Sequence, residues 1–541
     1  MKKHITLTIA LLISYSSNAQ WQWAKQIGGP NNGDSGFSLL DANNNIYCIG
    51  LFESSCYFDN DTLYSSGVND IFLAKYDASG NELWAKRIGS NNPMGYDESL
   101  KGRAIDNNNN CLYLSGSFYG SLTIDSYNIN GSGGMDMFLA KFDLNGNCLW
   151  LKKAGSALDD YLGTVSIDPS GNVYWTGNFL YSGGIVDTTP VVKGWFFSKF
   201  NANGNLISVS PNFINYGNLS SLSVSNNEIL VTGNTGNDTL IINSSDSLIG
   251  SNTIDGFLFK MDLSLNVTWA KIFGGNTSSW DYPANFEQDS NGNIYLVGGF
   301  QDSLTIAGVT ITNAGKKDMF FAKFNSGGNL IWVKQTNATG TALTIAGSIK
   351  KDIDGLFYIA GSFSGNAIFG SFNISTSNPS DFFVARYDDN GSCIGVRYFG
   401  FAVAGSVEVD SNGDVIIAGG YVNTINIGST SLTSYGGGDM FFAKSDAIVG
   451  IGGREINPNN QLIIYANPTQ GKCNITVPDD FVNENNLTLS IYDNTGKLIQ
   501  QKILEMNDGK IKVSLEQEAK GIYNVTLANK KKSYSGKIIF E

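Results

Sequence analysis

Acidic and aromatic side chains stand together in several predicted loops of this sequence. The clearest cases are Tyr96-Asp97-Glu98, Asp159-Asp160-Tyr161 and Trp280-Asp281-Tyr282. A flat aromatic ring suits the C–H face of a sugar, and neighbouring carboxylates accept hydrogen bonds from hydroxyl groups or pair with a basic protein segment. We define a candidate ligand-binding rim from these loops, with the members Tyr96, Asp97, Asp160, Tyr161, Trp280, Asp281 and Tyr282. The alternative is structural, because the Asp recurs in register and would then brace an adjacent strand.

Catalytic chemistry is restricted by the histidine content. The single histidine, His4, falls inside a predicted signal peptide. Without it, the exported chain has no Ser-His-Asp triad, Cys-His pair or histidine zinc site. A pair of carboxylates, as in glycosidases, is the remaining route to catalysis. No blade motif resembles the sialidase Asp-box, so we predict a protein that is not an enzyme. The alternatives are a secreted carbohydrate-active enzyme and a structural surface protein.

Acid-rich turns raise the question of a bound metal. The segment Asp410-Ser-Asn-Gly-Asp414 spaces several oxygen atoms as a calcium loop does, but no loop carries the full EF-hand set with its terminal Glu. Ordinary hairpin turns explain the same residues, because Asp accepts hydrogen bonds from amides further along the turn and Gly adopts the left-handed conformation. We predict no metal or cofactor, with calcium as the alternative.

A repeated Phe-x-x-Lys pattern organises the elements that hold these loops. Its copies are spaced by 58 to 66 residues, and each follows a short apolar strand that ends in Gly. The first residues of the copies are Phe72, Phe138, Phe196, Phe257, Phe320, Phe383 and Phe441. Two markers with one period predict a repeat architecture. Each unit contains four predicted strands, A to D, with short Asx/Gly turns between A and B and between C and D. The fold class is therefore all-β: a seven-bladed β-propeller of four-stranded antiparallel blades.

The outer strand of the last blade is missing from its own repeat. Strand D carries Trp84, Trp150, Trp269 or Trp332 in four units, but nothing comparable follows Lys444. The segment Trp23-Ala-Lys25 stands alone before the first strand A, so we predict that it completes the seventh blade and closes the ring. All A–B and C–D turns then share one face, the turn face. The longer D–A and B–C connections share the opposite one, the loop face, where the rim lies.

The repeat resembles a known family. Asp318-Met-Phe-Phe-Ala-Lys-Phe-Asn, Gly328-Asn-Leu-Ile-Trp-Val-Lys334 and Asp289-x-x-Gly-Asn-Ile-Tyr-Leu-Val-Gly298 are similar to the bacterial seven-bladed β-propeller repeat, SBBP. The resemblance assigns residues 20–447 to a propeller. It implies little about activity, because a scaffold hosts many functions.

Beyond a Gly-rich linker, residues 448–460, a second module of short predicted strands spans residues 461–541 and reads as a β-sandwich. The module resembles the type A C-terminal sorting domain of the type IX secretion system of Bacteroidetes-type bacteria. The residues that carry the likeness are Asn467, Pro468, Gly471, Tyr492, Asp493, Gly496, Lys497, Gly521, Tyr523 and Lys537. Ala466 and Glu541 depart from the family's usual pattern. The resemblance implies passage through the periplasm, recognition by the type IX machinery, and a secreted or outer-surface location.

Residues 1–19 have the basic start, apolar run and small residues of a secretory signal peptide. The formal net charge of −13 argues against nucleic acid, which requires clusters of Lys and Arg. No other segment is apolar enough to span a membrane. Among six cysteines, only Cys48 and Cys56 have plausible reach for a disulfide. We expect a monomer whose partners are the secretion machinery and an unidentified polysaccharide or protein.

Overall fold

The structure is a computed structural model. It describes residues 21–31, 35–90, 99–210, 217–225, 227–235, 239–241, 247–249, 254–275, 281–448, 462–478, 481, 487–493, 498–504, 509–529 and 533–541. Several predictions lie outside these residues: the signal peptide, the linker beyond Ile448, and the site residues Tyr96, Asp97, Trp280, Gly496 and Lys497. Within the described ranges the chain forms β-strands and no α-helix, as the all-β prediction requires.

The first two units show how the sequence specifies each hairpin. In the turn between β4 (Thr62–Tyr76) and β5 (Glu82–Ser90), Asp77 Oδ1 accepts hydrogen bonds from Ser79 N and Asn81 N, each 2.9 Å long. Gly80 adopts a left-handed φ of 79° in the same turn. The predicted Asx/Gly turn chemistry is thus confirmed here. The strands are β1 (Trp21–Ile27), β2 (Ser35–Leu40), β3 (Ile46–Tyr57), β4 (Thr62–Tyr76), β5 (Glu82–Ser90), β6 (Ser99–Asp106), β7 (Cys111–Ile124), β8 (Tyr127–Asp143) and β9 (Cys148–Gly155).

Units three and four add short hairpins in their B–C connections. Unit three pairs in the order β10-β11-β14-β15, and unit four in the order β16-β17-β20-β21. Their strands are β10 (Tyr161–Ile167), β11 (Val173–Phe179), β12 (Gly184–Val186), β13 (Thr189–Val191), β14 (Gly194–Phe200), β15 (Leu206–Ser210), β16 (Asn218–Val224), β17 (Ile229–Asn234), β18 (Thr239–Ile241), β19 (Ser247–Ile249), β20 (Gly256–Met261) and β21 (Val267–Phe273).

Units five and six follow the same plan, in the orders β22-β23-β26-β27 and β29-β30-β33-β34. Their strands are β22 (Tyr282–Gln288), β23 (Ile294–Phe300), β24 (Ser303–Ile306), β25 (Val309–Thr312), β26 (Asp318–Phe324), β27 (Leu330–Gln335), β28 (Asn337–Ala338), β29 (Leu343–Lys351), β30 (Phe357–Ser364), β31 (Asn366–Phe369), β32 (Phe372–Ser375), β33 (Asp381–Tyr387) and β34 (Cys393–Gly400). Strands B and C are almost continuously apolar because sheets cover both of their faces.

The last unit combines both ends of the repeat region. Its sheet runs β1-β39-β36-β35, with β1 antiparallel to β39 and Ala24 opposite Ala443. The strands after residue 400 are β35 (Ala402–Val409), β36 (Val415–Tyr421), β37 (Thr424–Ile427), β38 (Thr430–Thr433) and β39 (Asp439–Ser445). The predicted strand from the start of the chain therefore does pair beside the last Phe-x-x-Lys strand.

Apolar clusters lie between neighbouring units and join them. One cluster packs Phe382 and Val384 of unit six against Ile417 and Phe441 of the last unit. Another contains Phe72 of unit one and Phe442 of the last unit, and the ring of Tyr76 lies 4.6 Å from that of Phe442. Each fully buried side chain of this size contributes about 1.5–3 kcal/mol. The main stabilising contacts of each sheet are therefore with its neighbours.

The repeated Lys and Trp residues connect one unit to the next. Lys75 Nζ donates to Leu144 O at 3.1 Å and Lys141 Nζ to Ala202 O at 2.9 Å, both in the C–D turn of the following unit. The strand D Trp lies under the Gly of that same turn: a Cβ atom on Gly146 would come within 2.8 Å of Trp84. In several copies, the Lys of the Phe-x-x-Lys pattern therefore joins its sheet to the next one; Lys260 and Lys323 make the same contact with the following unit.

The C-terminal module forms two sheets around one core. They pair in the orders β40-β41-β44 and β43-β42-β45-β46. Their strands are β40 (Ile463–Tyr465), β41 (Lys472–Thr476), β42 (Leu487–Tyr492), β43 (Leu498–Leu504), β44 (Lys510–Ser514), β45 (Gly521–Ala528) and β46 (Ser533–Phe540). Ile475, Val513, Leu489 and Val525 are buried between them. The alternating pattern of the sequence reflects this one buried face on each sheet.

Candidate functional site

A buried Asp recurs in most units, two residues before the Phe of the Phe-x-x-Lys pattern. These residues are Asp70, Asp136, Asp255, Asp318, Asp381 and Asp439, each less than 5 % exposed. The carboxylate accepts an amide hydrogen bond from four residues earlier, as from Ser66 N to Asp70 at 2.9 Å and from Tyr435 N to Asp439 at 2.8 Å. This acid fastens the B–C connection to its sheet, which is a structural role.

Asp160, a member of the candidate rim, is buried as well. It is 0 % exposed and accepts hydrogen bonds from Ser156 N and Ser156 Oγ, each 2.7 Å long. Burial, reinforced by the charges of Asp136 and Asp159 and opposed by the Ser156 hydrogen bonds, raises the pKa of Asp160 to about 7. In this position the carboxylate braces the D–A connection rather than facing solvent, as the structural alternative predicts.

Asp281 occupies a similar interior position in unit five. It is 0 % exposed, and its Oδ2 accepts a hydrogen bond from Gly275 N at 2.8 Å. Tyr282, the next residue, is half-buried at the start of β22, and burial raises the pKa of its hydroxyl. Neither Asp160 nor Asp281 presents its carboxylate on the surface.

Among the rim residues that the structure describes, Tyr161 is the most exposed. It is 41 % exposed at the start of β10, and its ring lies 6.5 Å from that of Tyr181, which is 55 % exposed. Nearby, Asp159 Oδ1 accepts hydrogen bonds from Tyr119 Oη and Met135 N, both 2.9 Å long. The loop face thus carries an aromatic pair beside a fixed carboxylate. Tyr181 was not predicted from the sequence because it lies in a B–C connection without a neighbouring acid.

In the turn considered as a calcium site, the acidic side chains pair with a lysine. Asp410 Oδ1 accepts hydrogen bonds from the amides of Asn412 and Asp414, and Asp410 Oδ2 lies 2.7 Å from Lys444 Nζ. The same ammonium group lies 3.2 Å from Asp414. Among the residues that the structure describes, no three His, Cys, Asp or Glu side chains come together as metal ligands. None of the six cysteines, all within that part, forms a disulfide, so Cys48 and Cys56 are not bridged.

A second concentration of charge lies on the innermost strands. Glu287, Lys350 and Glu408 occupy the same register position in the last three units, each opposite the second residue of strand B. Lys350 Nζ lies 3.4 Å from Glu287 and 3.4 Å from Glu408. The two carboxylates, Glu408 first, raise the pKa of Lys350. We call these three residues the axial cluster.

A cavity of about 470 Å³ opens beside the axial cluster on the turn face. Its lining combines the charged residues Lys350, Glu408 and Asp41 with apolar residues that include Leu39 and Ile105. The sequence contains the signal for this site. Once the repeats are aligned, the three charges are the departures from a position that otherwise holds Ser166, Ser223, Leu39 and Ile105.

The sorting motif holds the end of the chain. Asn467 Nδ2 donates to Lys537 O at 2.6 Å, and Asn467 Oδ1 accepts from Ile539 N at 2.7 Å. Gly471, with a left-handed φ of 109°, accepts a hydrogen bond from Leu515 N at 2.7 Å. The loop that contains Asn467 and Pro468 is thereby joined to β46.

The other described motif residues lie in the second sheet of the module. Tyr492 ends β42 and is followed by Asp493, and Gly521 begins β45. Tyr523 is 4 % exposed and donates from its hydroxyl to Ala519 O at 2.5 Å. These positions shape the sandwich itself.

Burial of Asp160 predicts a pH-dependent stability. The folded pKa of about 7 lies above the value of about 3.9 expected in the unfolded chain, so the folded state retains a proton that the unfolded state releases. Stability should fall by about 1–3 kcal/mol between pH 5 and pH 8 through this group. Asp439, with a pKa raised to about 6 by burial, acts in the same direction.

Asp160→Asn should therefore reduce the difference between melting temperatures measured at pH 5 and pH 8, because the amide does not ionise. The control is Asp354→Asn, an exposed acid in unit six, for which we expect the wild-type pH dependence. Identical pH dependence in Asp160→Asn and the wild type would contradict this assignment. Acids whose pKa is lowered in the folded state, such as Asp77, change the stability only at pH values below this range.

Both the repeat region and the C-terminal module match known protein families. Residues 463–541 match the family model described as the secretion system C-terminal sorting domain, and residues 22–51 match that of the beta-propeller repeat. The sorting domain is that of the type IX system and indicates export to the cell surface or secretion. No described helix is long and apolar enough to cross a membrane.

More distant relatives cover the repeat region. Regulatory protein FlaEY of Caulobacter vibrioides is 24 % identical over 377 residues, covering 63 % of this chain and 38 % of that protein. A WD repeat-containing protein of Acanthamoeba polyphaga mimivirus is 23 % identical over 456 residues, covering 71 % and 28 %. The chain thus spans well under half the length of both relatives. Among solved structures, the Dos1 propeller is 10 % identical with a TM-score of 0.36, covering 81 % of this chain and 97 % of that one.

Proposed function

We propose that this chain, which carries a propeller repeat and a type IX sorting domain, is an exported seven-bladed β-propeller closed by β1. It binds a polysaccharide on its loop face and does not cleave it. The proposal has three parts: the closed ring, the binding surface and the absence of catalysis. Each rests on different residues.

Contacts between the first and last units support the closed ring. Ser38 N donates to Ser406 Oγ at 2.8 Å, and Asn44 Nδ2 donates to Ser411 Oγ at 2.8 Å. Gly28, just after β1, forms a β-bridge with Tyr57 of unit one. Contacts of the same kind join other neighbouring units. For example, Gly274 of unit four forms an isolated β-bridge with Thr305 of unit five.

The binding surface rests on the exposed pair Tyr161 and Tyr181. Two half-exposed rings 6.5 Å apart, on connections tied to a rigid sheet, form an amphipathic platform whose conformational entropy cost on binding is small. The fixed carboxylate of Asp159 supplies a hydrogen-bond acceptor for hydroxyl groups beside them. A pyranose ring presents both an apolar face and hydroxyl donors, so a polysaccharide matches this platform.

The absence of catalysis is supported by the positions of the rim acids. A glycosidase needs two carboxyl groups on opposite sides of an exposed bond. Asp160 and Asp281 are both 0 % exposed and accept backbone hydrogen bonds. A binding protein needs no such pair. We therefore expect no reducing ends to appear when a bound glycan is incubated with the protein.

A glycan array probed with the full exported chain tests the proposal. We expect binding to a polysaccharide that falls at least about tenfold in Tyr161→Ala with Tyr181→Ala, because each stacked aromatic contributes about 1–2 kcal/mol. The control is Tyr64→Ala, because Tyr64 is 71 % exposed and belongs to unit one, whereas the tyrosine pair belongs to unit three. No glycan binding, or equal loss in both variants, would contradict the proposed binding role and favour a structural surface protein. Cleavage of the glycan would favour the enzyme.

A further inference from the structure

The axial cluster has features that the structural contacts of the repeat do not explain. Most innermost-strand positions hold Ser or apolar side chains, yet three ionisable residues meet here on neighbouring units. Bringing charges together in a partly enclosed site costs desolvation free energy, and a hydrophobic replacement is often as stable or more so. The side chains also remain reachable, because those of Lys350, Glu287 and Glu408 are 39 %, 24 % and 15 % exposed.

A fourth charge, Arg103, lies on the innermost strand of unit two. Arg103 is two residues before Ile105 on β6, and its guanidinium carbon lies 3.7 Å from the ring centre of Phe37 on β2. Since alternate residues of a strand share a face, Arg103 and Phe37 lie on the same side as the apolar lining residues Ile105 and Leu39. Arg103 Nε is buried without a hydrogen-bond partner, although a buried donor of this kind is normally satisfied. The negative charge of Glu408 acts on Arg103.

The charges of the site balance. Lys350 is paired with Glu287 and Glu408, and Arg103 supplies a second positive charge near Glu408. The third carboxylate, Asp41, also lines the cavity and lies 3.7 Å from Lys75 Nζ. A ligand with net charge would leave one charge uncompensated, which is costly where solvent is partly excluded. Hydroxyl groups suit the site better, because each donates to a carboxylate and accepts from an ammonium or guanidinium group.

The shape of the cavity agrees with such a ligand. A volume of about 470 Å³ lies within the range of small-molecule pockets. Leu39, Ile105 and Val409 supply apolar lining, and Lys350, Glu408 and Asp41 supply polar groups. A sugar ring has this same division between a C–H face and hydroxyl edges.

We propose that the cavity beside the axial cluster binds a neutral polyhydroxylated small molecule of the size of one or two sugar residues. Its C–H face packs on Leu39 and Ile105, and its hydroxyl groups bond to Lys350 and Glu408. The site lies on the turn face and is separate from the Tyr161 and Tyr181 platform on the loop face.

Isothermal titration of the full exported chain tests this assignment. The probes are glucose, galactose, mannose, N-acetylglucosamine and their disaccharides, with glycine and leucine as zwitterionic comparisons. We expect at least one of the sugars to bind with a Kd of about 1 mM or lower, and neither amino acid to bind. Failure of every sugar, or binding of the amino acids alone, would overturn the assignment.

Two variants test whether the sugar binds in this cavity. Lys350→Met should weaken it at least tenfold, as about 1.4 kcal/mol for one lost charge-assisted hydrogen bond implies. Because that variant leaves two carboxylates unneutralised, a second variant, Ala42→Trp, closes the cavity from an exposed turn position without touching the charges. Its control is Ser290→Trp, at the same turn position of unit five and outside the cavity lining.

We expect Ala42→Trp to abolish sugar binding and Ser290→Trp to leave it unchanged. Unaltered binding in Ala42→Trp would overturn the site. Tyr161→Ala with Tyr181→Ala should leave this binding intact, so failure of the axial site and failure of the loop-face platform give different results.

Discussion

Deletion of residues 21–27 is expected to destabilise the whole repeat region severely. These residues form β1, whose Trp21 and Ile27 are buried and which pairs with β39 along its length. Loss of two large buried side chains and a ladder of backbone hydrogen bonds removes about 5 kcal/mol or more, comparable to the net stability of a typical domain. It also leaves β39 as an exposed apolar edge, which promotes aggregation.

The measurement is thermal unfolding combined with size-exclusion chromatography of the exported protein. We expect the deletion to lower the melting temperature by at least about 10 °C or to yield aggregated protein. Gln22→Ala is the control, because Gln22 is exposed on the same strand and its loss removes only one surface hydrogen bond, to Asp446 at 2.8 Å. A deletion variant that melts like the wild type would show that β1 is dispensable.

Gly155→Ala is expected to be among the most destabilising single methyl additions in the protein. A Cβ atom at this position would lie 1.9 Å from Asp136 Oδ1. Asp136 is 0 % exposed and accepts a hydrogen bond from Ser132 N, so moving its carboxylate breaks a buried interaction. Overpacking together with a displaced buried acid costs about 3 kcal/mol or more.

Chemical denaturation compares this variant with Gly438→Ala, where the nearest atoms would lie 3.6 Å from the new Cβ. We expect a clearly lower denaturation midpoint for Gly155→Ala and a change within about 0.5 kcal/mol for Gly438→Ala. Equal midpoints would mean that the recurring pair of strand D Gly and strand C Asp is not a close contact.

Much of the fold follows from local sequence chemistry. The Asx/Gly turns set the hairpins, as Asp77 and Gly80 show, and the apolar runs at strands B and C reflect burial on both faces. The Phe-x-x-Lys pattern marks strand C because its lysine must reach the next turn, as Lys75 does. Even the strand at Trp23 is predictable, since the last repeat lacks an outer strand and β1 pairs with β39.

The candidate sites were harder to predict because they depend on where distant residues meet. A recurring loop acid looks the same in sequence whether it faces solvent or, like Asp160, accepts hydrogen bonds in the interior. The axial cluster joins residues of three units, and its charges meet only through the arrangement of neighbouring sheets. The B–C hairpins, which the sequence marks only as longer connections, reach back to the preceding unit, as Ile185 does to Gly155.

The axial cavity requires that the first and last units lie side by side, because Leu39 of unit one and Glu408 of the last unit both line it, so closure is the central claim. Ala24 of β1 lies directly opposite Ala443 of β39. Opposed residues in an antiparallel pair have Cα atoms about 4.5–5.5 Å apart, within the range that a disulfide bridges. The most direct measurement is oxidation of the Ala24→Cys, Ala443→Cys double variant, followed by non-reducing electrophoresis with each single variant as control. A closed ring predicts a rapid intramolecular cross-link that shifts the mobility of the double variant alone; no cross-link beyond that of the single variants would contradict it.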